Sequence, residues 1–127
     1  MTGLDTNVLL RYLLGDDAAQ AARAARELER DDRFLIDGIV LCELVWVLET
    51  GYGFSRTDIA AALDRILATA QFEIESKDLV RAALADFRRS VADFSDCLIG
   101  RRNLGAGAAE TVTFDRSLKG LDGFRLL

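Results

Sequence analysis

Four carboxylates of this 127-residue chain, Asp5, Glu43, Asp96 and Asp115, fall at positions from which α/β folds do chemistry. Asp5 lies in Gly3-Leu4-Asp5-Thr6-Asn7 and is followed by an apolar run. This predicts a short buried strand entering a helix. The carboxylate then stands at the carboxyl end of the strand, where open α/β sheets hold ligands. Asp115 repeats the pattern after Thr111-Val112-Thr113-Phe114. Glu43 is the only charge in residues 39–48. A buried carboxylate without a partner is costly, so Glu43 is expected in a cleft, beside an Arg, or on a metal ion. Asp93 and Asp96 are three residues apart and share a helix face. Each position also has a structural account. Asp5, Asp93 and Asp115 suit caps or turns, and Asp96 suits the first turn of a helix, where the dipole favours an anion.

Several carboxylates gathered at one place raise each other's pKa and need a countercharge. Oxygen ligands without His or a thiol pair favour magnesium or manganese over zinc. The chain has no His, and Cys42 and Cys97 form no C-x-x-C motif. Both facts argue against a zinc site built on His or Cys, and the first argues against a triad with a His base. One or two hard cations suit phosphoryl chemistry, activating a water and stabilising the leaving oxygen.

Half of the residues are apolar, 29% are charged and the formal charge is -5. That is globular composition, and the length predicts a single domain spanning residues 1–127. The acidic balance argues against a simple cationic nucleic-acid-binding module. It leaves room for an enzyme whose acidic cluster is neutralised by metal. No signal-peptide pattern opens the chain, and the apolar run of residues 39–48 is too short to span a bilayer. A cytoplasmic protein with reduced thiols and no membrane partner is expected.

The elements that position the carboxylates follow from periodicity and punctuation. Helices are predicted over residues 8–14, closed by Gly15, and over residues 18–30. A strand at residues 34–36 leads into a helix over residues 39–50, closed by Gly51 and Gly53. That helix is apolar all round apart from Glu43, which predicts burial, with Trp46 in the core. Ser55 and Asp58 signal the next helix start, and residues 72–75 alternate as a strand. Ser76 is read as the cap of a further helix, and Asp93 to Ser95 as the start of another that ends near Gly105. Strands at residues 111–114 and 124–127 finish the chain. Alternating strands and helices predict a three-layer α/β/α sandwich around a mainly parallel sheet of four to five strands. In such a sheet Asp5 and Asp115 leave by the same edge and meet if their strands are neighbours.

Leu4-Asp5-Thr6-Asn7, Glu43, Asp93-Phe94-Ser95-Asp96-Cys97-Leu98-Ile99 and Thr113-Phe114-Asp115 recur in the order of a known family, along nearly the whole chain. The set resembles the PIN-domain ribonucleases, and among them the VapC-type toxins of bacterial toxin–antitoxin pairs. The resemblance implies a metal-dependent endoribonuclease that hydrolyses RNA phosphodiester bonds. Asp5, Glu43, Asp96 and Asp115 would be its catalytic residues and would hold one or two magnesium or manganese ions. Asp93 would stand behind the ligands or act only as a cap, and Thr6 and Thr113 would orient a strand-end carboxylate or a metal-bound water through their hydroxyls. A homodimer is also implied, with a cognate antitoxin whose C-terminal segment blocks the acidic cleft. Arg11, Arg101, Arg102, Arg116 and Lys119 follow the acidic positions and are candidates for the RNA backbone, against the plainer reading of solvated charges. Trp46 and Tyr52 are candidates for stacking on a base, Trp46 against its plainer reading as core. Two other classes remain open. One is a receiver-like domain that takes a phosphoryl group, for which Thr6 and Asn7 after Asp5 are a poor match. The other is a binding protein, not a nuclease, whose carboxylates are caps.

Overall fold

The computed structural model describes all 127 residues, which divide into two compact units, Met1–Glu75 and Ser76–Leu127. No helix is long and apolar enough to cross a membrane. Within each unit the paired strands are parallel and are connected through helices, which is an α/β architecture. They ladder as three and two, whereas the sequence suggested one sheet of four to five.

In the first unit, β1 (Thr2–Gly3), β2 (Phe34–Ile36) and β3 (Phe72–Ile74) pair in that order. Phe34 and Ile36 of β2 are fully buried, and their register partners in β3, Phe72 and Ile74, are buried as well. β1 departs from expectation. Its two residues are exposed, and burial begins only at Leu4, whose amide continues the ladder to the Leu35 carbonyl at 3.1 Å. Two residues offer few pairing groups, so β1 positions Asp5 without contributing much core.

Helix α1 (Thr6–Leu14) ends at Gly15, which takes the left-handed conformation at φ 63°. That turn lets α2 (Ala18–Leu28) start at once, capped by Asp17, and pack against α1. Helix α3 (Gly38–Tyr52) runs through Gly51 and stops at Gly53, also left-handed. Leu41, Leu44, Val45 and Leu48 form its buried stripe. Trp46 is 66% exposed and Ile39 is 64% exposed, so the expectation of burial all round is corrected. A helix with no polar face carries no sequence mark of which side looks outward. Helix α4 (Arg56–Ala68) is capped by Ser55 through the Asp58 amide, as its sequence signalled.

In the second unit, α5 (Lys77–Arg88) and α6 (Phe94–Gly105) pack on one another, and β4 (Thr111–Thr113) pairs with β5 (Phe124–Leu126). Ser76 precedes α5 in a left-handed conformation and makes no side-chain capping bond, contrary to the cap reading. The last helical element before β5 is a short 3-10 helix, Arg116–Leu118. Gly100 of α6 holds the two layers of this unit close. A Cβ there would stand 2.4 Å from a ring carbon of Phe124. Gly100→Ala is therefore expected to destabilise the chain by about 1–3 kcal/mol, the usual range for overpacking, read as a lower urea midpoint.

Candidate metal centre

The first unit supplies Asp5, Thr6 and Glu43. Asp5 ends the β1 segment in an extended conformation and caps α1, its Oδ1 accepting from the Val8 amide at 3.1 Å. The capping account of Asp5 is therefore correct as far as it goes. It occupies one oxygen, and Oδ2 of this exposed side chain accepts nothing from the protein. Thr6 is buried, and its hydroxyl donates to Glu43 Oε2 at 2.9 Å. Glu43 is exposed and has no Arg partner, so the Arg pairing is not made, and both a plain solvated Glu and a metal ligand fit its position. The helix that carries it is anchored at its start by two more carboxylates. Asp37 accepts from the Ile39 amide at 2.6 Å, and Glu75 from the Gly38 amide at 3.2 Å, both favourable at the positive end of a helix dipole.

The second unit supplies Asp93, Asp96 and Asp115. Asp93 holds the N-cap position of α6, yet its side chain makes no capping bond. Asp96, in the first turn of that helix, is half-buried. Burial pushes its carboxyl above the usual carboxylate range, with further upward pushes from the charges of Asp93 and Asp115. No Lys or Arg opposes these effects. Asp115 caps the 3-10 turn, accepting from the Ser117 amide at 2.9 Å, and the Ser117 hydroxyl and amide hold its carboxyl below the usual range. Its own amide donates to Thr113 Oγ1 at 3.0 Å.

Within neither unit do three or more acidic, His or Cys side chains gather at one point suited to an ion. The donor chemistry does fit a hard divalent cation. Every candidate ligand is a carboxylate, and a cation would relieve the like-charge pressure on Asp96. The Thr6 hydroxyl does bond a carboxylate, but it is that of Glu43 within a helix and not one at a strand end as the resemblance implied. Thr113 instead receives the backbone amide of the residue it was expected to orient.

Several basic and aromatic candidates are committed elsewhere. Arg101 reaches Asp86 through two bonds, Nε to Oδ2 at 2.7 Å and Nη2 to Oδ1 at 2.9 Å, and Arg89 closes on the same carboxylate. Arg11 holds Asp16 at 2.7 Å and Gln20 at 2.8 Å, and donates to the Tyr52 hydroxyl, which itself donates to Asp16 at 2.6 Å. Neither Arg11 nor Arg101 presents a spare guanidinium to a phosphate. Asp86, only 1% exposed, went unnoticed in the sequence. Its signal was its place on the apolar side of α5, between Ala83 and Phe87, at helical spacing.

A PIN-domain family model matches residues 4–123. A VapC ribonuclease of Aquifex aeolicus (strain VF5) is 33% identical over 125 residues, covering 96% of this chain and 92% of that protein. Among solved structures, a toxin-antitoxin complex from Klebsiella pneumoniae aligns with 98% of this chain and 96% of the matched chain. Its identity is 19% and its TM-score 0.37.

Proposed function

This chain belongs to the PIN-domain family, with the VapC-type ribonuclease toxins, and we propose that it hydrolyses RNA phosphodiester bonds with magnesium or manganese held by Asp5, Glu43, Asp96 and Asp115. The observation that carries the metal reading is Asp96. A half-buried carboxylate pressed by two others, with no basic side chain against it, weakens the fold unless a cation supplies the missing charge. A bound ion would make water a better nucleophile and offset the charge that builds on the phosphate.

The chain's own groups prepare for that chemistry. The cap bond to Val8 fixes Asp5 while leaving Oδ2 to bind. Thr6 fixes the carboxylate plane of Glu43 from a buried position. Ser117 keeps Asp115 ionised, and therefore an acceptor, to lower pH than a free Asp. Asp96 holds a proton more readily than a free Asp, so protons compete with the cation there. Metal-dependent activity should accordingly fall on the acid side of neutrality.

Calorimetric titration with Mn2+ tests the ligand set. Asp5→Asn, Glu43→Gln, Asp96→Asn and Asp115→Asn are each expected to weaken binding at least tenfold, since ligand loss costs no less than the roughly 10–100-fold of an outer partner. Equal affinity in all four variants would refute the set. Thr6→Val keeps the shape and removes the hydroxyl. It is expected to lower RNA cleavage about 10–100-fold with the fold intact by circular dichroism. Three partner and compartment assignments belong to the same proposal: a cognate antitoxin that covers the acidic residues, a homodimer, and action in the cytoplasm.

A further inference from the structure

A groove of about 370 Å3 runs between α1 and α2 and begins at Asp5. A larger depression, about 650 Å3, involves Asp31 and Gln71 at the amino edge of the sheet and includes neither Asp5 nor Glu43. The smaller groove holds a cation with no counterion. Arg23 projects from α2 into its lining, is exposed, and forms no salt bridge. Its acidic neighbour in the lining, Glu27, pairs with Arg30 at 3.3 Å.

Two amides stand in the same lining. Gln20 is fixed at both ends, its backbone amide donating to Asp17 at 3.0 Å and its side-chain oxygen accepting from Arg11 Nε at 2.8 Å. With that oxygen taken, the Gln20 amide presents only its NH2 donors. Asn7, two residues after Asp5, is exposed, and its side chain bonds to nothing in the chain. The groove thus offers one free positive charge, a fixed hydrogen-bond donor and a free amide, all beside a carboxylate placed at the cleavage chemistry.

We propose that this groove is the substrate track next to the cut: Arg23 holds the phosphate adjacent to the scissile one, and Gln20 and Asn7 contact the intervening nucleotide. The proposal rests on the nuclease reading and makes Arg23 a positioning residue. The Arg11–Asp16–Tyr52 network becomes the support that aims Gln20, which explains why Arg11 itself is not spare. Single-stranded RNA suits such a track, because its phosphates demand a cation and its unstacked base edges accept from amides.

The test uses the full chain carrying Asp96→Asn, so that RNA is bound but not cut, and a short fluorescein-labelled single-stranded RNA as probe. In this background Arg23→Ala is expected to weaken binding about tenfold, as one charge-assisted contact would. It should also make the slope of log affinity against log salt shallower by about 0.7, the value for one phosphate of a single strand. Arg23→Lys should restore part of the affinity. Arg26→Ala removes the same charge from the same helix outside the groove and should stay within twofold of the parent. Arg23→Ala binding within twofold of the parent would overturn the proposal, as would an equal loss in Arg26→Ala, which would mark a diffuse charge effect. The two readings fail separately. Arg23-dependent binding alongside a wild-type chain that cuts no RNA with metal would refute the nuclease and keep the groove. Metal-dependent cutting with binding indifferent to Arg23 would refute the groove alone.

Discussion

Replacing Asp96 by Asn is expected to reduce metal-dependent RNA cleavage by about two to three orders of magnitude, since a catalytic metal contributes several kcal/mol to the transition state. The same substitution should leave thermal stability at neutral pH unchanged or higher. The sign follows from the raised carboxyl of Asp96. In the folded chain this group binds its proton more tightly than in the unfolded chain, where its ordinary value is 3.8. Ionisation therefore works against folding. The penalty is absent below the ordinary value, grows as pH rises past it, and is complete once pH exceeds the raised value. Asn carries no such penalty, so any advantage in midpoint should be largest near neutrality and vanish in acid. On the proposed ligand set, magnesium or manganese should reverse the order by stabilising the wild-type chain more than the variant. A stabilising change that removes activity is the expected signature of a residue kept for chemistry.

The second large effect is structural. Asp86→Ala is expected to cost about 3–5 kcal/mol, because it leaves Arg101, 24% exposed, without its partner. That corresponds to a fall in midpoint of roughly 10–20 °C for a chain of this size. Asp86→Asn should cost less, since it keeps a hydrogen-bond acceptor of the same shape. The double variant Asp86→Leu/Arg101→Met should recover most of the loss, as apolar replacements of buried pairs commonly do. Urea unfolding of the three variants checks this series. A loss below about 1 kcal/mol in Asp86→Ala, the value of an exposed pair, would show that the bond network adds little.

Much of the local structure was legible because punctuation and periodicity agree. Gly15 and Gly53 end helices in left-handed turns, and Ser55 with Asp58 opens one, each for the reason its residue type suggests. What escaped the sequence shares a physical cause: pattern gives the period of a face, not what the face meets. α3 is apolar on every side, so nothing marked Trp46 as outward. Asp86 was overlooked because its meaning depends on Arg101, fifteen residues on. Ser76 has the type of a cap, but its left-handed backbone turns the side chain away from that task. The pairing of five short strands as three and two was also beyond the pattern, since a strand of two or three residues does not encode its neighbour.

At the site, residue types conveyed the donor chemistry, and the structure separated roles that looked alike. Asp5 and Asp115 are both caps, as the plain account held, with Asp5 keeping an oxygen free. Asp93 occupies a cap position without capping, and its charge bears instead on Asp96. Glu43 stood out as a lone charge in an apolar helix, and its partner proved to be the hydroxyl of Thr6, the residue next to Asp5.

The most direct test of the central claim is cleavage of total RNA by the wild-type and Asp96→Asn chains, each with magnesium or manganese and with excess chelator. The account predicts discrete cuts by the wild-type chain with metal, and almost none by the variant or in chelator. Equal cleavage in chelator, or by Asp96→Asn at the wild-type rate, would contradict it.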